Sequence, residues 1–326
     1  MENEIIRKKR KFYIIFFFTV CILFFWIISP QLYNSYKSQK INEKIVHEAV
    51  AHQLNKKTED VNSSDYAKIK VLDLHESEIT NIKPLEKLIN LQTLSLSRTR
   101  ITNLKSLSKL TKLEILSLQY LGNYDKSTSI LIKLLEKYHI IDPSRKNIID
   151  LTPLKKLTNL EILVLSETNV KNLKPLANLK NLEELRLYTI NFLKGYVCDI
   201  TPLDNLTKLQ RIDIVNWKLD DITPLSNLKE LKILLLKGAP ITDIKPLTEL
   251  SNLNYLYLSN TSIIDIEALK NLRNLTHLDL SSSLISNIEP LTGLKNLQKL
   301  NLSDTTISQE QIDQLQIALP ELKIER

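Results

Sequence analysis

The pattern L-x-x-L-x-L recurs along this chain at a nearly constant interval. It occurs as IKVLDL from Ile69, LQTLSL from Leu91 and LEILSL from Leu113, and it returns from Leu160, Leu182, Leu209, Leu231, Leu253, Leu275 and Leu297. A last copy, LPELKI, starts at Leu319. The steps are 22, 22, 47, 22, 27, 22, 22, 22, 22 and 22 residues, so the two exceptions are 22 plus 25 and 22 plus 5. Self-similarity at a fixed short period marks a chain of stacked units. The alternation L-x-L puts leucines on one side of a short strand and the x residues on the other. Between strands runs a second pattern, as in TDIKPLTEL. There Pro84, Pro153, Pro175, Pro202, Pro224, Pro246 and Pro290 occupy one phase, seven of the eleven prolines in the chain. Each is placed to start a short helical or 3₁₀ turn, where its missing N–H costs nothing. Ser106 and Ala268 replace it in two repeats. One such unit cannot bury its own apolar face, so the units stack and their strands form a parallel sheet along a concave wall.

The repeat resembles that of the leucine-rich repeat family, in the 22-residue class typified by bacterial internalins. The resemblance covers residues 69–326. It implies an α/β solenoid, a right-handed superhelix with the parallel sheet on its concave face. The preceding segment resembles the internalin-type helical cap, and Ile41, Ile45, Ala49 and Leu54, with Val46 and Val50 beside them, make a helical stripe there. At the other end ISQEQIDQLQIALPELKIER predicts a C-terminal cap over about 307–326, a helix followed by a final strand. One departure stands out. The family places Asn three residues after the strand's last leucine, in a ladder, whereas here Thr99, Thr168, Thr261, Ser283 and Thr305 hold that position, and Trp217 and Ala239 hold it in two other repeats.

The first thirty residues have a different character. Arg7-Lys8-Lys9-Arg10-Lys11 precedes Phe12 to Ile28, 17 residues with only Thr19 polar. As a helix that run spans roughly 26 Å, the short end of what crosses a bilayer core. Tyr13, Trp26 and Tyr33 sit near its ends, where amphipathic rings favour the interface. It is longer than the apolar region of a cleaved signal, and no small-residue cleavage site follows. The expected organisation is a basic cytoplasmic tail (1–11), a single transmembrane signal anchor (12–29), a linker and helical cap (30–68) and the repeat domain (69–326). The basic block sets the orientation, with the N-terminus in the cytoplasm and the repeats outside.

Of the formal charge of +7, the first eleven residues carry +3, which leaves +4 for the rest and no basic stripe for nucleic acid. The four glycines are scattered, and no G-x-G-x-x-G or P-loop motif exists. Cys21 lies in the apolar run and Cys198 far away, so no disulfide framework is expected. His47 and His52 fall short of a zinc motif, because a spacing of five turns them about 140° apart on a helix. His277, Asp279 and Ser281 share one face of a strand, but Asp stands between the other two, about 13 Å apart, so they cannot form a catalytic triad. The sequence therefore predicts no catalytic residue, no metal and no small-molecule cofactor.

Two insertions interrupt the register. Residues 119–147 hold Ile130, Leu131, Leu134, Leu135 and Tyr138 at helical spacing. The smaller one lies near Phe192 and Tyr196. The concave positions are the candidate binding surface: Ile162, Val164, Arg186, Tyr188, Arg211, Ile233, Leu235, Tyr255 and Tyr257, with Asp213 among them. Tyr and Arg are enriched at interfaces, and a solvated sheet face has no structural need of apolar pairs. His277, Asp279, Lys299, Asn301, Glu321 and Lys323 make the later strands polar. These features predict a non-enzymatic protein that binds a protein or peptide ligand, contacts the membrane through its N-terminal helix, and takes no nucleic acid. The resemblance implies a bacterial surface or envelope setting. Two alternatives stay open: a signal-cleaved secreted binding or effector protein, and a membrane-tethered scaffold facing the cytoplasm.

Overall fold

The computed structural model describes residues 29–121, 149–168, 170–188 and 199–326. The apolar run at 12–28, nearly all of the 119–147 insertion, and Phe192, Tyr196 and Cys198 lie outside the described residues. The expected transmembrane helix therefore falls outside them too. Among the described residues no helix is long and apolar enough to cross a membrane.

Each repeat contributes one short strand: β1 (Val71–Asp73), β2 (Thr93–Ser95), β3 (Ile115–Ser117), β4 (Ile162–Val164), β5 (Glu184–Tyr188), β6 (Arg211–Val215), β7 (Ile233–Leu235), β8 (Tyr255–Tyr257), β9 (His277–Asp279), β10 (Lys299–Asn301) and β11 (Lys323–Glu325). They form one open, parallel sheet in sequence order. The two insertions leave the register intact, with Ile115 opposite Ile162 and Glu184 opposite Arg211. At the C-terminus the register departs from the leucine pattern. Lys323 pairs with Lys299, a step of 24, and Leu300 faces Ile324 rather than Leu322. The helix α2 (Gln309–Ala318), capped by Ser308 Oγ on the Gln311 N–H, takes up the two extra residues, so Glu321 precedes the last strand and Lys323 and Glu325 lie on its face.

Opposite the sheet, each of the nine connections from β1 to β10 makes a 3₁₀ turn, and all seven in-phase prolines sit in the first two positions of theirs. An Asn or Asp just before each turn accepts the N–H two residues on, from Asn81–Lys83 through Asp221–Thr223 to Asn287–Glu289, at 2.8–3.0 Å. These Asx contacts satisfy amides that the turn leaves open. Leucines and isoleucines from strand and turn meet in one continuous core from Val46 to Leu322.

An asparagine ladder exists, in another phase than the family's usual one. Asn90, Asn159, Asn181, Asn252, Asn274 and Asn296, each just before a strand's first leucine, donate to backbone carbonyls of the preceding repeat at 2.7–3.0 Å. The Thr and Ser residues at the usual ladder position bond inside their own repeat instead. Thr99, Thr261, Ser283 and Thr305 donate to the carbonyl three residues back at 2.5–2.7 Å, and Thr168 does the same. A short hydroxyl side chain reaches its own turn but not the next one.

The N-terminal cap is the helix α1 (Ser29–Gln53). Its buried stripe is Asn42, Val46 and Val50 rather than one led by Ile41, which is 48% exposed. Asn42 Oδ1 accepts the Thr80 N–H at 2.8 Å and its Nδ2 donates to the Ser38 carbonyl at 2.6 Å, which ties the helix to the first repeat. Buried Asp65 holds Lys56 and Lys68, each at 2.8 Å, and the Asn62 N–H at 3.0 Å. Those donors keep its carboxyl far below the usual carboxylate range.

Candidate binding face

On the face of the sheet turned away from the core, strand register arranges side chains in two rows. One runs Ile115, Ile162, Glu184, Arg211, Ile233, Tyr255, His277 and Lys299. The other runs Ser117, Val164, Arg186, Asp213, Leu235, Tyr257, Asp279 and Asn301. Of the nine candidate residues, eight stand in these rows. Tyr188 lies one step beyond, opposite Val215, and is 37% exposed. Among strands β4 to β8, the member of the rows that the leucine pattern left unnoticed is Glu184. The register of LEELRL contains it, because Glu184 and Arg186 occupy the x positions held by Ile162 and Val164 one repeat earlier.

The apolar residues form two islands rather than one patch. Ile162 and Val164 are separated from Ile233 and Leu235 by the charged pairs of β5 and β6. Three strand spacings put the islands about 14 Å apart. Between them Arg211 forks onto Asp213 at 3.0–3.1 Å, Arg186 Nη2 meets Glu184 Oε2 at 2.6 Å, and Arg186 Nε lies 3.9 Å from Asp213 Oδ2. Two arginines and two carboxylates cancel, so the bridge is polar and neutral overall. The second island extends into Tyr255 and Tyr257. Burial, then the neighbouring Tyr255 and Asp279, push the Tyr257 hydroxyl above its ordinary value.

Beyond the tyrosines the surface turns polar. The His277 ring stacks on Tyr255 with centroids 4.7 Å apart, and its Nδ1 lies 3.0 Å from Thr276 Oγ1. Ser281 Oγ donates to Asp279 Oδ1 at 2.6 Å, so Ser281 is held by the aspartate and His277 by its own neighbours. In the cap, His47 sits between the Tyr66 hydroxyl at 2.8 Å and the Thr58 carbonyl at 3.0 Å. Among the described residues no three His, Cys, Asp or Glu side chains converge as metal ligands.

An open parallel sheet with one strand per 22-residue unit, backed by proline-led 3₁₀ turns around a leucine core, decides the architecture. The fold is that of the leucine-rich repeat proteins. No family model and no curated protein sequence matches the chain. Among solved leucine-rich repeat structures, an internalin from Listeria monocytogenes (inlF) is similar at 27% identity, with 86% of this chain and 87% of that one covered and a TM-score of 0.62. A leucine-rich repeat protein of Leptospira interrogans is similar at 25% identity over 75% of this chain and 62% of that one, with a TM-score of 0.58. A plant peptide hormone receptor solved in complex with RGF2 shares the leucine-rich repeat fold at 20% identity over 76% of this chain and 38% of that one, with a TM-score of 0.56.

Proposed function

We propose that this leucine-rich repeat protein is a non-catalytic binder of a protein or peptide, displayed from the membrane on the extracytoplasmic side of a bacterial cell. The observation that carries the binding part is the pair of rows on the sheet face. Two apolar islands flank a neutral arginine–carboxylate bridge, and the second island ends in two tyrosines that the core does not require. Large amphipathic rings and arginines of this kind anchor protein partners. The apolar run at 12–28, preceded by its basic block, supports anchoring and the outward orientation.

Replacing Tyr255 and Tyr257 together with Ala tests the face. The variant keeps its thermal unfolding midpoint close to that of the parent and loses the protein ligand that crosslinks to the parent on intact cells. A variant that retains that ligand as well as the parent overturns the assignment. Sidedness is tested with Cys21 and Cys198 replaced by Ser and Ile264, 60% exposed, replaced by Cys. Labelling by an impermeant maleimide on intact cells supports outward display. Labelling only after lysis places the repeats in the cytoplasm, and release into the medium marks the secreted alternative.

A further inference from the structure

The ridge of 3₁₀ turns opposite the sheet is electrically divided. The turn segments 81–88, 103–110, 150–157 and 172–179 carry seven lysines against Glu86 and Asp150, a net charge of +5. The segments 199–206, 221–228, 243–250, 265–272 and 287–294 carry eight acidic residues against Lys245 and Lys270, a net charge of −6. The excess belongs to the ridge alone in the first half: the other described residues from 29 to 188 carry thirteen basic and thirteen acidic side chains. Lys83, Lys105, Lys109, Lys155, Lys156 and Lys174 are all exposed. None of the six makes an ion pair among the described residues. Lys87 lies over the Tyr66 ring, 5.5 Å from its centroid. The grooves between neighbouring turns follow the same division. One of about 580 Å³ is bordered by Lys105, Lys155, Lys156 and Asp150, and another of about 410 Å³ by Asp243, Asp265, Glu267, Lys245 and Lys270.

We infer that the basic half of this ridge docks on an anionic phospholipid bilayer, the one that holds the N-terminal apolar run. This rests on the anchoring proposed above. The chain enters the described fold at Ser29, directly after the apolar run, and α1 then leads into the basic end of the ridge. A helix of 25 residues is about 37 Å long, so the tether keeps the first repeats near the surface at high local concentration. Unpaired lysines gain from an anionic surface within a Debye length of about 8 Å, and acidic residues are repelled over the same range. Both halves of the ridge therefore act together. The first four turns are drawn down, the last five are held off, and the sheet face with its tyrosines is turned away from the lipid toward a partner.

The test reconstitutes the full-length protein into vesicles of pure phosphatidylcholine and into vesicles that also contain phosphatidylglycerol. The reactivity of each lysine toward a water-soluble acetylating reagent is then read by mass spectrometry. Lys105, Lys109 and Lys155 react several-fold more slowly on the anionic vesicles, Lys270 and Lys299 react equally on both, and molar salt, with a Debye length of about 3 Å, removes the difference. Replacing Lys105, Lys109 and Lys155 with Gln leaves thermal unfolding unchanged and abolishes the protection of Lys83 and Lys174. Equal reactivity on both vesicle types overturns the proposal while the anchor stands. So does protection that follows protein density on neutral vesicles, which assigns the ridge to a second copy of the chain. Failure of the protein to float with phosphatidylcholine vesicles overturns the anchor, and the docking falls with it.

Discussion

The rings of Tyr255 and His277 stack across neighbouring strands at the border between the aromatic island and the polar end of the sheet face. Burial, with a smaller contribution from Lys299, holds the His277 imidazole below its ordinary value of 6.5. A His whose folded value is depressed favours the native state while neutral. Its contribution is present above 6.5 and is lost as the pH falls from there through the lower folded value. Proton NMR titration of His277 therefore gives a midpoint below that of a free histidine. Tyr255→Ala, which opens the ring to water, moves the midpoint upward, and an unchanged midpoint removes the stacked ring as the cause.

The Asx contacts predict a second, more acidic transition. Asp150, Asp199 and Asp221 accept the backbone N–H of Thr152, Thr201 and Thr223 at 2.8–3.0 Å, and the threonine side chains and amides together hold their carboxyls below the ordinary 3.8. Stability from these groups is complete above 3.8 and drains as the pH falls through their folded values. Replacing all three with Asn, the residue that fills this place at 81, 103, 172 and 287, keeps the acceptor without the charge. Urea unfolding of that variant shows a shallower loss of stability below 3.8 than the parent.

Asn274 bonds the Ser251 carbonyl of the preceding repeat at 2.9 Å. Asn274→Ala costs about 0.5–1.5 kcal/mol, the net worth of one such bond. Asn159→Ala acts at a distant rung, so the double variant loses the sum within about 0.5 kcal/mol. Chemical denaturation reads both, and strong coupling between the rungs contradicts a ladder of independent bonds.

Nine strands, β1–β4 and β6–β10, are followed two residues after their last core residue by a left-handed backbone position. Gly238 holds it at φ +72, and the eight others, among them Glu76, Asn216, Asn260 and Ser282, hold it at φ 53–61. A Cβ on Gly238 would stand 2.5 Å from Asn216 Oδ1. Gly238→Ala thus adds a clash to the backbone strain and destabilises by about 1–3 kcal/mol. Ser282→Gly, at the same place two repeats on, relieves strain and raises the thermal midpoint. A neutral Gly238→Ala contradicts the close approach.

Repeat period, the strand positions from β1 to β10 and the proline turns were readable from the recurring pattern, because burial of Leu85, Leu94 and their equivalents is dictated by local spacing and repeated many times over. The Asn before each strand was visible too, in the recurrent dipeptide Asn-Leu, yet its role needed the distance to the preceding repeat. Asn42 escaped notice because a lone polar residue on a helix does not announce a tertiary partner. Glu184 escaped it because Tyr188, two residues beyond Arg186 on the same face, is the more interface-like side chain, and the pairing of Glu184 with Ile162 is what fixes the phase.

The linear order of residues by itself determined the stacked architecture, since each 22-residue unit has the same short-range pattern and can bury it only against its neighbours. It did not determine what the two surfaces of the stack present. Residues that face one another there lie 22, 24, 27 or 47 positions apart, and only the strand register brings them together. The arginine–carboxylate bridge dividing the apolar islands, and the charge division along the ridge that a modest net charge conceals, are both products of that stacking. Electrostatic and contact energies depend on separation in space, and in a solenoid the nearest neighbours in space lie one full turn away along the chain.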